Sequence, residues 1–213
     1  TENMDKYELG VAAQKVYDFI WDDYCDWYIE LTKSRLQGED AEAKINAQKV
    51  LCYVLTHILK LLHPFMPFLT EEIWQALPHE GDFLMLQRWP EHHVELDFPE
   101  EEKAMEMIMD AIGAVRTRRA EMNVPPSKRA HLTVSTLEQE VFTAGIPFLK
   151  RLGYGSDVTI TGVAESGSDA DQAAKGMVTV ITHAARISMP MAELVDMEKE
   201  RARMEKELGT SRA

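Results

Sequence analysis

Between Arg116 and Arg129 the sequence gathers positive charge. Arg116, Arg118, Arg119, Lys128 and Arg129 stand against Glu121 alone, in a chain whose formal net charge is -13. Position matters more than number. At about 100° per residue, Arg116 and Arg119 prolong the apolar stripe of Met109, Ile112 and Val115, while Arg118 points elsewhere. A helix face that turns from apolar to guanidinium has two readings. The arginines can complement a helix C-terminus and bury their stems. Alternatively the face leaves the core there and meets an anion, since the guanidinium fork suits phosphate and base edges and stacks on bases. On that second reading the stiff Pro125-Pro126 turn holds Lys128 and Arg129 beside the arginines. Arg119→Ala is then expected to weaken binding of that anion and leave thermal stability nearly unchanged.

A second grouping is Trp27, Tyr28, Lys33 and Arg35. Aromatics beside cations can receive unstacked bases; equally, Trp27 can be core and the cations solvated. Other chemistry is thin. The sequence has no Gly-rich phosphate loop, no G-x-S-x-G elbow and no H-E-x-x-H. His79, His92 and His93 fall in a connector, a weak basis for a metal site. Asp22, Asp23 and Asp26 read as a solvated acidic face rather than a general acid–base pair. The chain by itself is expected to catalyse nothing, with no cofactor and no metal site.

These residues must be positioned by helices first. Val16, Ile20, Tyr24, Trp27 and Leu31 recur at steps of three and four, which predicts one helix from Met4 to Gln37, stopped at Gly38. Leu51, Leu55, Ile58 and Leu62 mark a second, over 41–62, broken by Pro64 and Pro67. A shorter helix starts near Thr70 and ends by Pro78. The stretch 79–98 reads as a connector. Pro99 and Glu100 to Glu102 open a further helix that closes near Asn123, with Met105, Ile108, Met109, Ile112 and Val115 as its stripe.

Beyond Pro126 the pattern changes. Strands are predicted over 131–136, 157–163, 177–182 and 186–189, with a helix over 137–152 weakened at Pro147. The Ser/Gly/Ala/Asp-rich run 164–175 reads as a loop. From Met191 a heptad-like seam (Leu194, Met197, Arg201, Met204, Leu208) predicts a terminal helix or the start of a coiled coil. The expected fold class is therefore mainly α: a helical bundle over 1–128, a small α+β subdomain over 129–189, and a coiled-coil beginning over 190–213.

The chain has 213 residues, 45% of them hydrophobic, enough to bury a core and to form one or two domains. It has no apolar run long enough for a membrane span and no secretory leader, and its two cysteines sit in helical patterns, which excludes a disulfide framework. Reduced thiols fit a cytoplasmic protein. The acidic balance argues against indiscriminate nucleic-acid binding but permits a local basic patch. Thr1 stands first without an initiator Met, which reads as a fragment.

Three stretches then read together. Phe19-Ile20-Trp21-Asp22-Asp23-Tyr24-Cys25-Asp26-Trp27-Tyr28-Ile29-Glu30-Leu31 resembles the first long helix of the anticodon-binding domain in class I aminoacyl-tRNA synthetases for branched aliphatic amino acids. His63-Pro64-Phe65-Met66-Pro67-Phe68-Leu69-Thr70-Glu71-Glu72-Ile73-Trp74 is similar to that domain's second signature, and Arg119-Ala120-Glu121-Met122-Asn123-Val124-Pro125-Pro126-Ser127-Lys128 to its third. They occur in the family's order. The βαβ-like tail and heptad-like end are closest to its valine-specific bacterial branch. No cysteine-rich zinc element follows the α/β part, which weighs against the isoleucine-specific branch, kept as an alternative.

The resemblance implies an anticodon-binding bundle, a small α/β unit and the beginning of a coiled-coil arm toward the outer corner of tRNA. The implied partners are the valine isoacceptor of tRNA and the catalytic domain of the same chain, in an enzyme expected to be monomeric. ATP and Mg would belong to that catalytic domain, whose HIGH-type and KMSKS-type motifs are not in this sequence. The tRNA-contacting residues expected are Arg116, Arg119 and Lys128, supported by Arg129, Lys33, Arg35 and Trp27. The rival is a helical protein-interaction module, with the Met-rich stripe docking a partner helix and the arginines only capping.

Overall fold

The computed structural model describes residues 1–163 and 176–194. They divide into two compact units, Thr1–Leu96 and Asp97 onward. The expected loop 164–175 and the coiled-coil seam beyond Leu194 lie outside the described residues.

The first unit is all helical. Helix α1 (Glu2–Asp5) stops at Tyr7, whose φ of 59° no helix continues through. Helix α2 (Leu9–Asp18) runs into a π-helical stretch, Phe19–Ile29, and that into α3 (Glu30–Leu36). The single predicted helix is thus interrupted. Its wide i→i+5 turns change the phase of the stripe: Tyr24 and Leu31 are buried, whereas Trp27 is half-buried. Helix α4 spans Ala41–Leu62, as the periodicity predicts. Asp40 caps it, its Oδ1 accepting from Glu42 N at 3.0 Å and Ala43 N at 3.1 Å.

Helix α5 (Pro67–Gln75) starts three residues before Thr70, because Pro67 suits a first turn. Thr70 instead sits inside that turn, buried, donating to Met66 O at 2.8 Å. His63 Nδ1 lies 2.8 Å from the same hydroxyl, and with the threonine proton committed it is the histidine that donates. Glu71 Oε2 accepts from Leu84 N at 2.9 Å, anchoring the connector and its two short 3₁₀ turns, Leu84–Leu86 and Val94–Leu96. Trp74 centres the core with Leu59 and Leu84. The second signature is therefore architectural: it ties the end of α4, the start of α5 and the connector to one another.

The second unit opens with α6 (Pro99–Glu121). Strand β1 (Ala130–Thr136) follows, then α7 (Gln139–Ala144), α8 (Ile146–Leu152) and β2 (Gly155–Thr161). The chain finishes with β3 (Met177–Ile181), β4 (Ala185–Pro190) and one turn of helix, α9 (Met191–Leu194). The sheet order is β2-β1-β4-β3, with β1 and β2 parallel and the β3–β4 hairpin antiparallel. The predicted helix 137–152 is split at Gly145, because Pro147 removes an amide there. Leu132, Val134, Ile187 and Met189 are fully buried on one side of the sheet.

Helix α6 packs on α7, α8, β3 and β4, so the compact units divide at Leu96, inside the expected helical domain 1–128. Its buried positions are Met107, Ile108, Ala111, Ile112, Val115 and Arg119, one step round from the predicted stripe.

Candidate nucleic-acid interface

The end of α6 builds the cationic site. Met122 closes the helix and Asn123 takes a left-handed φ of 54°. Asn123 N donates to Ala120 O and Val124 N to Arg119 O, each at 2.9 Å, the paired bonds of a Schellman stop. Asparagine tolerates that conformation and the buried Val124 supplies the apolar contact that accompanies it. The chain then turns through Pro125-Pro126, with Lys128 N donating to Pro125 O at 3.1 Å.

Arg119 sits beneath this turn, only 2% exposed. Its Nη2 donates to Pro125 O at 3.2 Å and to Lys128 O. Its main-chain carbonyl meanwhile receives Val124 N, so one residue brackets the turn from both sides. The guanidinium lies over the Tyr154 ring, 5.1 Å from its centroid. Burial lowers its pKa and the Tyr154 phenol opposes that shift. Nη1 is buried without a hydrogen-bond partner. The expectation that Arg119 meets an anion at the surface is therefore overturned. Val115 and Arg119 are one turn apart on the buried face, so the face does not leave the core where the guanidinium begins.

Arg116 takes the outward role. It is exposed, its Nε donates to Leu152 O at 3.1 Å, and its guanidinium stands 5.9 Å from the Tyr154 centroid. Arg129, also exposed, donates from Nη1 to Lys150 O at 3.0 Å and Gly155 O at 3.3 Å. Both thus satisfy carbonyls that α8 leaves open at its C-terminus. The capping reading holds in a changed form: the arginines complement a different helix from the one that carries them. Lys128 is half-buried, and among the described residues no carboxylate pairs with Lys128, Arg129 or Arg151. Lys150 is paired with Asp157 at 2.8 Å, a contact that lowers the Asp157 pKa. Arg118 is paired with Glu121 at 2.9 Å.

Tyr154 is a member of this cluster that the sequence reading missed, and Lys150 joins it through the carbonyl that Arg129 meets. The available signal was the last turn of α8, Lys150-Arg151-Leu152-Gly153, where cations precede a glycine stop. Tyr154, at φ 56°, follows directly.

The second grouping lies in the first unit. Lys33 pairs with Glu30, so much of its charge is cancelled. Arg35 is exposed and close enough to Tyr28 to lower its phenol pKa against the larger upward effect of burial. Tyr28 stacks on Tyr24 with centroids 6.2 Å apart and planes at 27°. Tyr24 donates to Leu51 O at 3.1 Å, and burial pushes its pKa to about 12. Trp27 is half-buried.

Among the described residues no three His, Cys, Asp or Glu side chains converge as metal ligands, and no helix is long and apolar enough to cross a membrane. Cations held on backbone carbonyls around a rigid turn make a binding domain. The chain belongs to the family of anticodon-binding domains of tRNA ligases, which its residues 1–134 match. It is 42% identical to a valine–tRNA ligase of Bacillus cereus over 97% of its length, and 43% identical to that of Clostridium acetobutylicum over the same share. A valine–tRNA ligase of Geobacillus stearothermophilus is 43% identical over 98% of the chain. The chain spans 23% of the length of each of these relatives.

Proposed function

We propose that this chain binds the anticodon stem-loop of the valine isoacceptor of tRNA, as the tRNA-binding portion of a valine–tRNA ligase. The observation that carries the reading is the anticodon-binding match over residues 1–134 combined with 42% identity to valine–tRNA ligases over 97% of the chain. ATP-dependent activation of valine, its transfer to tRNA, and the ATP and Mg they use would reside in the parts of such an enzyme beyond this portion. A cytoplasmic, monomeric ligase is the setting that fits.

Arg116, Lys128, Arg129 and Arg151 supply the charge for backbone contacts, with Arg35 and Trp27 as a second set in the first unit. Arg119 acts as a positioning residue that fixes the turn carrying Lys128. Folded RNA is read through splayed single-stranded bases, which an anticodon loop provides. An acidic protein suppresses attraction to other phosphate backbones except at such patches. The test is titration of the chain with valine tRNA, with isoleucine tRNA, and with valine tRNA carrying a replaced anticodon loop. Preference for the first supports the assignment; equal affinity for all three refutes loop recognition.

A further inference from the structure

Helix α4 carries a second, different surface. Over Ala41–Leu62 it has Lys44, Lys49 and Lys60 against a single carboxylate, Glu42 in the first turn, although carboxylates make up 36 of the 213 residues. A solvated helix face of an acidic protein alternates charge signs; this one does not. Its outer side forms an open groove of about 420 Å³ whose lining includes Gln48, Lys49, Tyr53, Thr56 and His57. Lys49 and Lys60 are eleven residues apart, three helical turns, and share that side.

The groove's floor is aromatic. The Tyr53 and His57 rings lie with centroids 4.2 Å apart and planes at 37°. Tyr53 is 46% exposed, so its ring is open to a stacking partner. His57 Nδ1 is 2.8 Å from Tyr53 O and must donate to it. That fixes the imidazole and turns Nε2 outward. Gln48 and Thr56 add donors and acceptors at the edge. An aromatic platform, polar edge groups, flanking lysines and a lining with no Asp or Glu are complementary to a single-stranded nucleotide.

We propose that this groove receives an unstacked nucleobase of the bound RNA, stacked on Tyr53, with Lys49 and Lys60 on the flanking phosphates. The proposal rests on the tRNA-binding reading and adds a base-stacking site to it, in the first unit and apart from the arginine cluster. Base–aromatic stacking contributes about 1–3 kcal/mol per base, which is about 5- to 150-fold in affinity.

The test uses valine tRNA and a short single-stranded oligoribonucleotide as probes, read by fluorescence anisotropy. Tyr53→Ala is expected to weaken binding at least fivefold and Tyr53→Phe less than about twofold, since the phenyl ring still stacks. Lys49→Ala is expected to flatten the salt dependence by about one unit of slope. Tyr53 is exposed, so its removal opens no core; far-UV melting checks that each variant is folded. tRNA substituted with 4-thiouridine is expected to cross-link to the peptide bearing Cys52 and Tyr53. Intact tRNA binding that is indifferent to Tyr53→Ala, with no cross-link there, overturns the groove and leaves the tRNA-binding reading standing. Absence of tRNA binding by the unaltered chain overturns both.

Discussion

Replacing Arg119 by alanine tests the central structural finding, because it separates a buried support from a surface contact. The side chain is 2% exposed and donates to Pro125 O and Lys128 O. A hydrogen bond from a charged donor contributes about 1.5–3 kcal/mol, and a buried acceptor left unsatisfied costs about 1–3 kcal/mol. The cation over Tyr154 adds about 0.5–1 kcal/mol. Against these stands relief from burying a guanidinium whose Nη1 has no partner. The balance is a loss of about 2–4 kcal/mol, and a melting drop of about 10–20 °C in a unit of this size. Hydrogen exchange localises the effect: the Val124 and Lys128 amides, bonded to Arg119 O and Pro125 O, should lose protection first. Arg119→Lys should rescue little, since an ammonium cannot span two carbonyls as a planar fork does. Weakened tRNA binding with an unchanged melting curve and unchanged exchange would refute the reasoning and return Arg119 to the surface role.

Lys128→Ala is expected to lower tRNA affinity uniformly across sequences and reduce the salt slope by about one, with melting unaffected. Arg118→Ala should do neither to a measurable extent, because Glu121 already offsets that charge. At Asn123, φ 54°, substitution by alanine should cost about 1 kcal/mol and by glycine almost nothing, measured by urea unfolding. Tyr24 has a folded pKa near 12 against about 10 unfolded. The native state holds that proton more tightly, so the stabilisation is complete below pH 10 and falls between pH 10 and 12. Absorbance titration should show Tyr24 titrating late, with Tyr28 also raised by burial, and Tyr24→Phe should remove the step near pH 12 and its share of alkaline destabilisation.

Legibility followed how local each cause is. Helix α4 was readable to the residue because its cap, its stripe and its terminating prolines all lie within the segment. The four strands were readable because alternation and β-branching are local. The break at Tyr7 and the π-helical stretch 19–29 were not, since neither Gly nor Pro marks them. At the end of α6 the sequence pointed to the cations but not to their directions. Arg116 and Arg119 share a stripe on a helical wheel, yet one is exposed and the other buried. What separates them is the carbonyls of Pro125 and Lys128 folding back over the helix end, a tertiary fact. Tyr154 was invisible for the same reason, being brought between two arginines by a turn thirty residues further on.

The partners of these cations explain how an acidic chain keeps a positive surface. A lysine or arginine that meets a carboxylate is held in place but loses its outward field, as Arg118, Lys33 and Lys150 do against Glu121, Glu30 and Asp157. An arginine that meets backbone carbonyls is held as firmly and keeps its full charge. Arg129, on Lys150 O and Gly155 O, is of this second kind. Oriented, uncancelled cations at a helix end suit a phosphate backbone better than flexible ones, because less side-chain entropy is lost on binding. Carbonyl contact leaves the charge in place, and exposure decides its use: Arg129 is exposed, whereas Arg119 on Pro125 O and Lys128 O is buried and serves the fold. On the proposed reading Arg116, Lys128 and Arg129 supply the binding charge, and Arg119 fixes the turn between them.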